Sequence, residues 1–258
     1  MVSGPIRYSW TMLSWIRNLA LALVVAAGLG AAPVPAVAGE AALKVVELFT
    51  SQGCSSCPPA DALLADLADR DDILALSFHV DYWDYIGWKD PFSSPLYTQR
   101  QRVYRQVFGK RYVYTPQMVV NGSFEMTGSD RAGVLKRIAA EAPPAQVGLA
   151  MRDDGAGKVT VSVAQAADAD PATVWLVVYD NEHLTAVKRG ENQGRTIRNR
   201  NVVRGLQRIG MWNGQALELP VMISEMAPNG GDSCAVLLQS QRTGRILAAT
   251  RVALTSTR

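Results

Sequence analysis

Val45-Val46-Glu47-Leu48-Phe49-Thr50-Ser51-Gln52-Gly53-Cys54-Ser55-Ser56-Cys57-Pro58-Pro59 is the stretch on which the reading of this chain turns. Val45, Val46, Leu48 and Phe49 form a strand-like apolar run that breaks at Gly53 into a C-x-x-C pair. Beyond the pair, Ala60, Leu63, Leu64 and Leu67 recur at helical spacing, which puts the cysteines at a strand-to-helix junction. Pro58 and Pro59 lack an amide donor and suit a first helical turn, so the helix is predicted to start near Ser56 or Cys57. Cysteines three apart at a helix head share a face, with α-carbons roughly 5–6 Å apart and within disulfide reach. The positive end of the helix dipole favours the thiolate of the outer member, Cys54. C-x-x-C also serves as a metal site or a structural staple, so the pair alone leaves several uses open.

Upstream, residues 1–38 read as an export signal. Arg7 and Arg17 are their only charges, an apolar run extends from Leu19 to Ala32, and Ala36-Val37-Ala38 fits a cleavage site. An uncleaved membrane anchor is the rival reading of that run. Removing the signal takes the formal charge from +3 to +1. That near-neutrality gives no argument for nucleic acid or, after cleavage, for a membrane as partner. Export puts the three cysteines in an oxidising compartment, where a C-x-x-C pair either rests as a disulfide or is maintained by a redox partner.

Downstream, Ile73-Leu74-Ala75-Leu76-Ser77-Phe78-His79-Val80 is nearly continuous apolar sequence, as for a strand covered on both faces. The aromatic, acidic stretch at 81–92 follows. Its Tyr82 and Trp83 are candidate substrate-binding residues at the carboxyl end of that strand, with packing of an insertion as the plain alternative. Ser94-Pro95 opens a helix with a predicted apolar stripe of Leu96, Val103, Tyr104 and Val107 and a wet face of Arg100, Arg102 and Arg105. Thr115-Pro116 then leads into a short strand, an Asn121-Gly122 hairpin and a helix capped by Ser129.

The succession of strand, C-x-x-C helix, strand, helix, Thr-Pro, hairpin and helix resembles the thioredoxin-like superfamily over about Ala42 to Ala142. The runs Glu47 to Asp61, Phe78 to Asp84 and Tyr114 to Gln117 resemble, more narrowly, a bacterial secreted family catalogued as a domain of unknown function within that superfamily. The superfamily resemblance implies that Pro116 is cis and lies against Cys54 and Cys57. It also implies that Glu47, in the place of a buried first-strand acid, relays the proton of Cys57; a wet sheet edge is the other reading of Glu47.

After a Pro-rich break at 141–146 the period changes to alternation, in Val147, Leu149, Met151, in Val159, Val161, Val163 and in Val174, Leu176, Val178. Hairpins are predicted around residues 153–157 and 242–244. The expected fold is therefore an α/β thioredoxin-like domain at 42–142 followed by an all-β, immunoglobulin-like sandwich at 146–256. Residues 188–204, rich in charge, read as a surface segment whose Arg195, Arg198 and Arg200 bind an anion or dock on Asp81 and Asp84, or are simply solvated.

Functionally, the leading expectation is a periplasmic or secreted thiol-disulfide oxidoreductase without cofactor. Cys54 attacks, Cys57 resolves, and Thr115 and Pro116 position protein or peptide thiols and disulfides. Alternatives are copper(I) binding through Cys54, Cys57 and His79, and a non-catalytic binding module in which the disulfide is a staple. Cys234, in a buried-strand pattern, reads as an inert core thiol or as an exchange partner for Cys54.

Overall fold

A computed structural model describes residues 42–223 and 231–254. The proposed signal lies outside the described residues. Three helices and eleven strands are formed among them. In order these are β1 (Lys44–Thr50), α1 (Pro58–Ala68), β2 (Ile73–His79), α2 (Pro95–Val107), β3 (Gln117–Val120), β4 (Phe124–Thr127), α3 (Arg131–Ala140), β5 (Leu149–Gly155), β6 (Lys158–Val163), β7 (Ala172–Ala186), β8 (Thr196–Trp212), β9 (Leu217–Met222), β10 (Ser233–Ser240) and β11 (Ile246–Ala253).

The expectation of a thioredoxin-like domain followed by a separate immunoglobulin-like sandwich is overturned by the sheet topology. Eight strands form one mixed sheet in the order β11-β10-β7-β8-β2-β1-β3-β4, and β5, β6 and β9 make a small second sheet. The seam is β2 against β8, parallel, with Ser77 opposite Val202, and it is reinforced by the Asn201 amide donating to Ala75 O at 2.8 Å. The hairpins predicted from alternation do form, as β5–β6 and β10–β11. Two of these strands, β10 and β11, extend the first sheet instead of closing a sandwich. Residues 196–212, half of which lay in the expected surface segment, are the long strand β8 that makes the join. Its Arg198 pairs with Glu182 and its Arg200 with Asp69, so neither docks on Asp81 or Asp84.

Strand alternation sorts the core. Val46 and Leu48 of β1 pack under α1 and α3 with Leu63, Leu64, Leu67 and Ile138. Val45 and Phe49 face the other way, toward α2, with Leu76, Phe78 and Tyr104. That second core runs on beneath α2 to Val177 of β7 and Leu237 of β10, so both halves of the chain share it.

The face of α2 is rotated from expectation. Tyr97, Arg100, Gln101 and Tyr104 are buried, whereas Leu96, Val103 and Val107 stay 45%, 47% and 42% exposed. Arg100 therefore sits in the core. Its Nη2 and Nε donate to the Glu47 carboxylate at 2.6 and 3.0 Å, with Tyr104 Oη at 3.2 Å from Nη2. Burial opposes the guanidinium charge, and the Glu47 carboxylate outweighs that opposition and raises its pKa.

Candidate functional site

β1 ends at Thr50, and residues 51–57 turn the chain into α1 before Pro58. The turn is closed by backbone bonds from Cys54 N to Ser51 O and from Cys57 N to Cys54 O. Cys57 is the N-cap residue, as the two prolines predict, and the amides of Ala60 and Asp61 donate to its carbonyl. Cys54 and Cys57 are joined in a disulfide with α-carbons 5.5 Å apart. Both are buried, Cys54 at 2% exposure, while Ser55 and Ser56 between them face solvent.

Thr115 and Trp83 are brought to this loop, with Pro116 next in the chain to Thr115 and Tyr82 beside Trp83. The Thr115–Pro116 peptide is cis. Thr115 Oγ1 donates to Cys54 Sγ at 3.2 Å and accepts from Trp83 Nε1 at 2.7 Å. Tyr82 packs beside Trp83, with ring centroids 5.9 Å apart, and its hydroxyl donates to Gln101 Oε1 at 3.1 Å. Burial pushes the Tyr82 phenol up to about 12, so it stays neutral. A side chain at Gly53 would meet Trp83 Cβ and carbonyl at 3.3 Å, so the aromatic loop lies directly on the C-x-x-C backbone.

Glu47 is not in this group. As an odd-numbered residue of β1 it shares the face of Val45 and Phe49, opposite the face on which α1 lies, and pairs with Arg100. The buried acid near the cysteines is Asp61, one helical turn beyond Cys57. Its Oδ1 accepts from Thr50 Oγ1 at 2.9 Å. Burial raises its pKa to about 7, with nearby His79 opposing the rise. His79 stands opposite Thr50 in the β1–β2 register, and its Nδ1 lies 2.7 Å from Asp90 Oδ2, both fully buried. Burial pushes the imidazole toward neutrality, and the Asp90 and Asp61 carboxylates outweigh that push and raise its pKa. Asp90 Oδ2 also accepts from Gln52 N at 2.8 Å, which ties the aromatic loop to the C-x-x-C turn.

The sequence reading missed Asp61, Asp90 and the β7–β8 turn. Asn192 of that turn is fully buried, and its amide donates to both Gln52 O and Cys54 O at 2.9 Å. Asp61 carries one legible signal, its i+4 spacing from Cys57 on the buried helix face. Asn192 carries none, because its partners lie in a distant segment.

Among the described residues no group of three or more His, Cys, Asp and Glu converges to hold a metal ion, so the Cys54, Cys57, His79 copper set does not assemble. Cys234 is buried in β10, near Met151 Sδ at 3.6 Å, and burial pushes its thiol up to about 12, the state of an inert core residue. Among the described residues no helix is long and apolar enough to cross a membrane.

No curated protein matches the chain. Among solved structures it is similar to a crystal structure of a protein from Agrobacterium tumefaciens, at 33% identity and a TM-score of 0.73, over 86% of this chain and 98% of that one. HBP35 of Porphyromonas gingivalis is similar in fold, at 16% identity and a TM-score of 0.54, over 83% of this chain and 75% of that one. Residues 45–239, which hold the disulfide, Thr115, the buried acids and the seam between β2 and β8, match a family as a unit, and the chain belongs to that family, described as Protein of unknown function (DUF1223).

Proposed function

We propose that the chain is an exported thiol-disulfide oxidoreductase that works through Cys54 and Cys57 on protein or peptide substrates, with a separate redox partner to reset it. The observation that carries this reading is the polar setting of the disulfide: the Thr115 hydroxyl reaches Cys54 Sγ, and the Asp61 carboxyl is buried one turn from Cys57. A structural staple needs neither group. The resemblance to the thioredoxin-like superfamily, whose proline lies against such a pair, supports the same reading.

In the reducing direction the Cys54 thiolate attacks one sulfur of a substrate disulfide and expels the other as thiolate, which takes a proton from solvent. Cys57 then passes its proton to the Asp61 carboxylate and attacks Cys54 Sγ. The second substrate sulfur leaves as a thiolate, and two electrons have moved from the pair to the substrate. A hydroxyl at Cys54 stabilises its thiolate, and a carboxyl titrating near neutrality suits proton exchange at working pH. The oxidising direction is the same path reversed.

Equilibration with glutathione buffers, read by thiol labelling and mass spectrometry, tests the proposal. A potential between about −120 and −270 mV is expected for an exchanger. A value below about −300 mV makes the pair a staple and sinks the reading.

Asp61→Asn separates the acid from the rest of the site. A carboxyl whose pKa rises from 3.8 unfolded to about 7 folded stabilises the fold fully below its unfolded value, and that contribution disappears as pH rises through 7. The variant should therefore lose the stability decline between about pH 4 and 7 and gain about 2–3 kcal/mol at pH 8. That is below the ~4 kcal/mol of the shift taken alone, because His79 loses a favourable neighbour. Urea unfolding across this range checks it, and a wild-type stability flat from pH 4 to 8 contradicts it.

A further inference from the structure

The turn between β7 and β8 has a second residue at the C-x-x-C loop. Ser55 N–H donates to Glu191 Oε2 at 3.2 Å. Glu191 itself is exposed, and it is kept in place by its neighbour Asn192, fully buried and bonded to the carbonyls of Gln52 and Cys54. The turn is also closed by its own backbone bonds. Gly194 N donates to Val187 O at 2.9 Å and Gln193 N to Gly190 O at 3.1 Å. Gly190 has φ +78°, and a β-carbon there would lie 3.1 Å from Trp88 Cβ, so the turn sits tightly on the aromatic loop. A carboxylate is thereby delivered from a distant segment to the dipeptide between the two cysteines.

We propose that Glu191 is a positioning residue that sets the reactivity of Cys54. The proposal rests on the exchange reading above. Its carboxylate occupies the Ser55 N–H, a donor adjacent to Cys54, and places negative charge at the residue that follows the cysteine. Both effects disfavour the Cys54 thiolate. Because a less stable thiolate means a less stable reduced form, Glu191 holds the pair toward the disulfide and makes it more reducing than Ser55-Ser56 alone would. Asn192 acts through Glu191 by anchoring the turn. The other ionisable groups around the loop include Asp61 of α1, His79 of β2, Tyr82 and Asp90 of the aromatic loop and Arg204 of β8 beyond His79, and a Glu191 variant leaves all of them in place.

The test uses Glu191→Gln in the full mature chain, reduced chemically with a phosphine, with alkylation of Cys54 followed against pH by mass spectrometry. The ionised fraction of Cys54 at pH 7 should rise about three- to tenfold at low ionic strength. Because Glu191 is exposed, that gain should shrink severalfold in about 1 M salt, where the screening length falls to about 3 Å. In an Asn192→Ala background Glu191→Gln should add less than half of its effect. Coincident pH profiles for wild type and Glu191→Gln at low salt overturn the proposal, as does a full effect in the Asn192→Ala background. Chemical reduction does not depend on glutathione, so a staple-like potential would sink the exchange reading while this ionisation measurement still decides the role of Glu191.

Discussion

Arg100→Met should lose about 3–5 kcal/mol of stability at pH 7, because it strands the Glu47 carboxylate in the core without its partner. Glu47 and Arg100 are 1% and 7% exposed. The methionine fills most of the arginine volume against Phe78, Tyr104 and Trp175, whose rings now stack around the guanidinium. Little of the loss should therefore come from packing. For a chain of this size it corresponds to a melting temperature lower by on the order of 10 °C. Adding Glu47→Leu should restore most of the stability, because a well-packed apolar pair substitutes for a buried ion pair with little cost. Urea unfolding of the two variants checks this. A single variant within 1 kcal/mol of wild type, on the scale of an exposed pair, would show that the pair is worth no more than a surface contact. Neither substitution should alter the pH profile of thiol exchange, because Glu47 lies on the α2 face of β1 and away from α1.

What was legible in the sequence is what short-range spacing encodes. The C-x-x-C turn, the proline-marked start of α1 and the β5–β6 and β10–β11 hairpins all follow from residues within a few positions of one another, whereas the cis Thr115–Pro116 peptide was implied only by the resemblance. The sheet join was not legible. Ser77 meets Val202 across the chain, and in the first half of β8 the charged Arg198 and Arg200 alternate with buried Ile197, Asn199 and Asn201, which hides the strand pattern. A strand whose inward positions include asparagines reads as a loop until its partner is known. The same limit applies to α2. Its aliphatic residues fall on one stripe and its tyrosines, Arg100 and Gln101 on another, and hydropathy selects the aliphatic stripe. The buried stripe is the polar one because Glu47 and Gln239 wait there with complementary groups. Glu47 was likewise assigned by position along β1, when the parity of its strand position decides which face it serves.

Cys57→Ser should convert the protein from a turnover exchanger into a trap that accumulates mixed disulfides at Cys54, with turnover lower by at least about 10³-fold. Cys54→Ser should lose turnover to the same degree and form no adduct. The asymmetry follows from position and hydrogen bonding, since both sulfurs are buried: Cys57 is the N-cap residue of α1, whereas Cys54 lies in the turn next to exposed Ser55 and takes the Thr115 hydroxyl. A substrate sulfur therefore meets Cys54, and only Cys57 is placed to release it. Stability does not confound the comparison. Both variants lose the same disulfide, and closing so short a loop of about four residues contributes only about 2 kcal/mol by chain entropy. Adduct formation read by intact mass under non-reducing conditions, with a peptide disulfide as substrate, distinguishes the two variants directly. If the Cys54→Ser protein formed the adduct and the Cys57→Ser protein did not, the roles of the two sulfurs would be reversed. Thr115→Val sharpens the assignment, since it removes the donor at Cys54 Sγ and should slow adduct formation by the Cys57→Ser protein by roughly tenfold, the worth of one such bond to a charged acceptor.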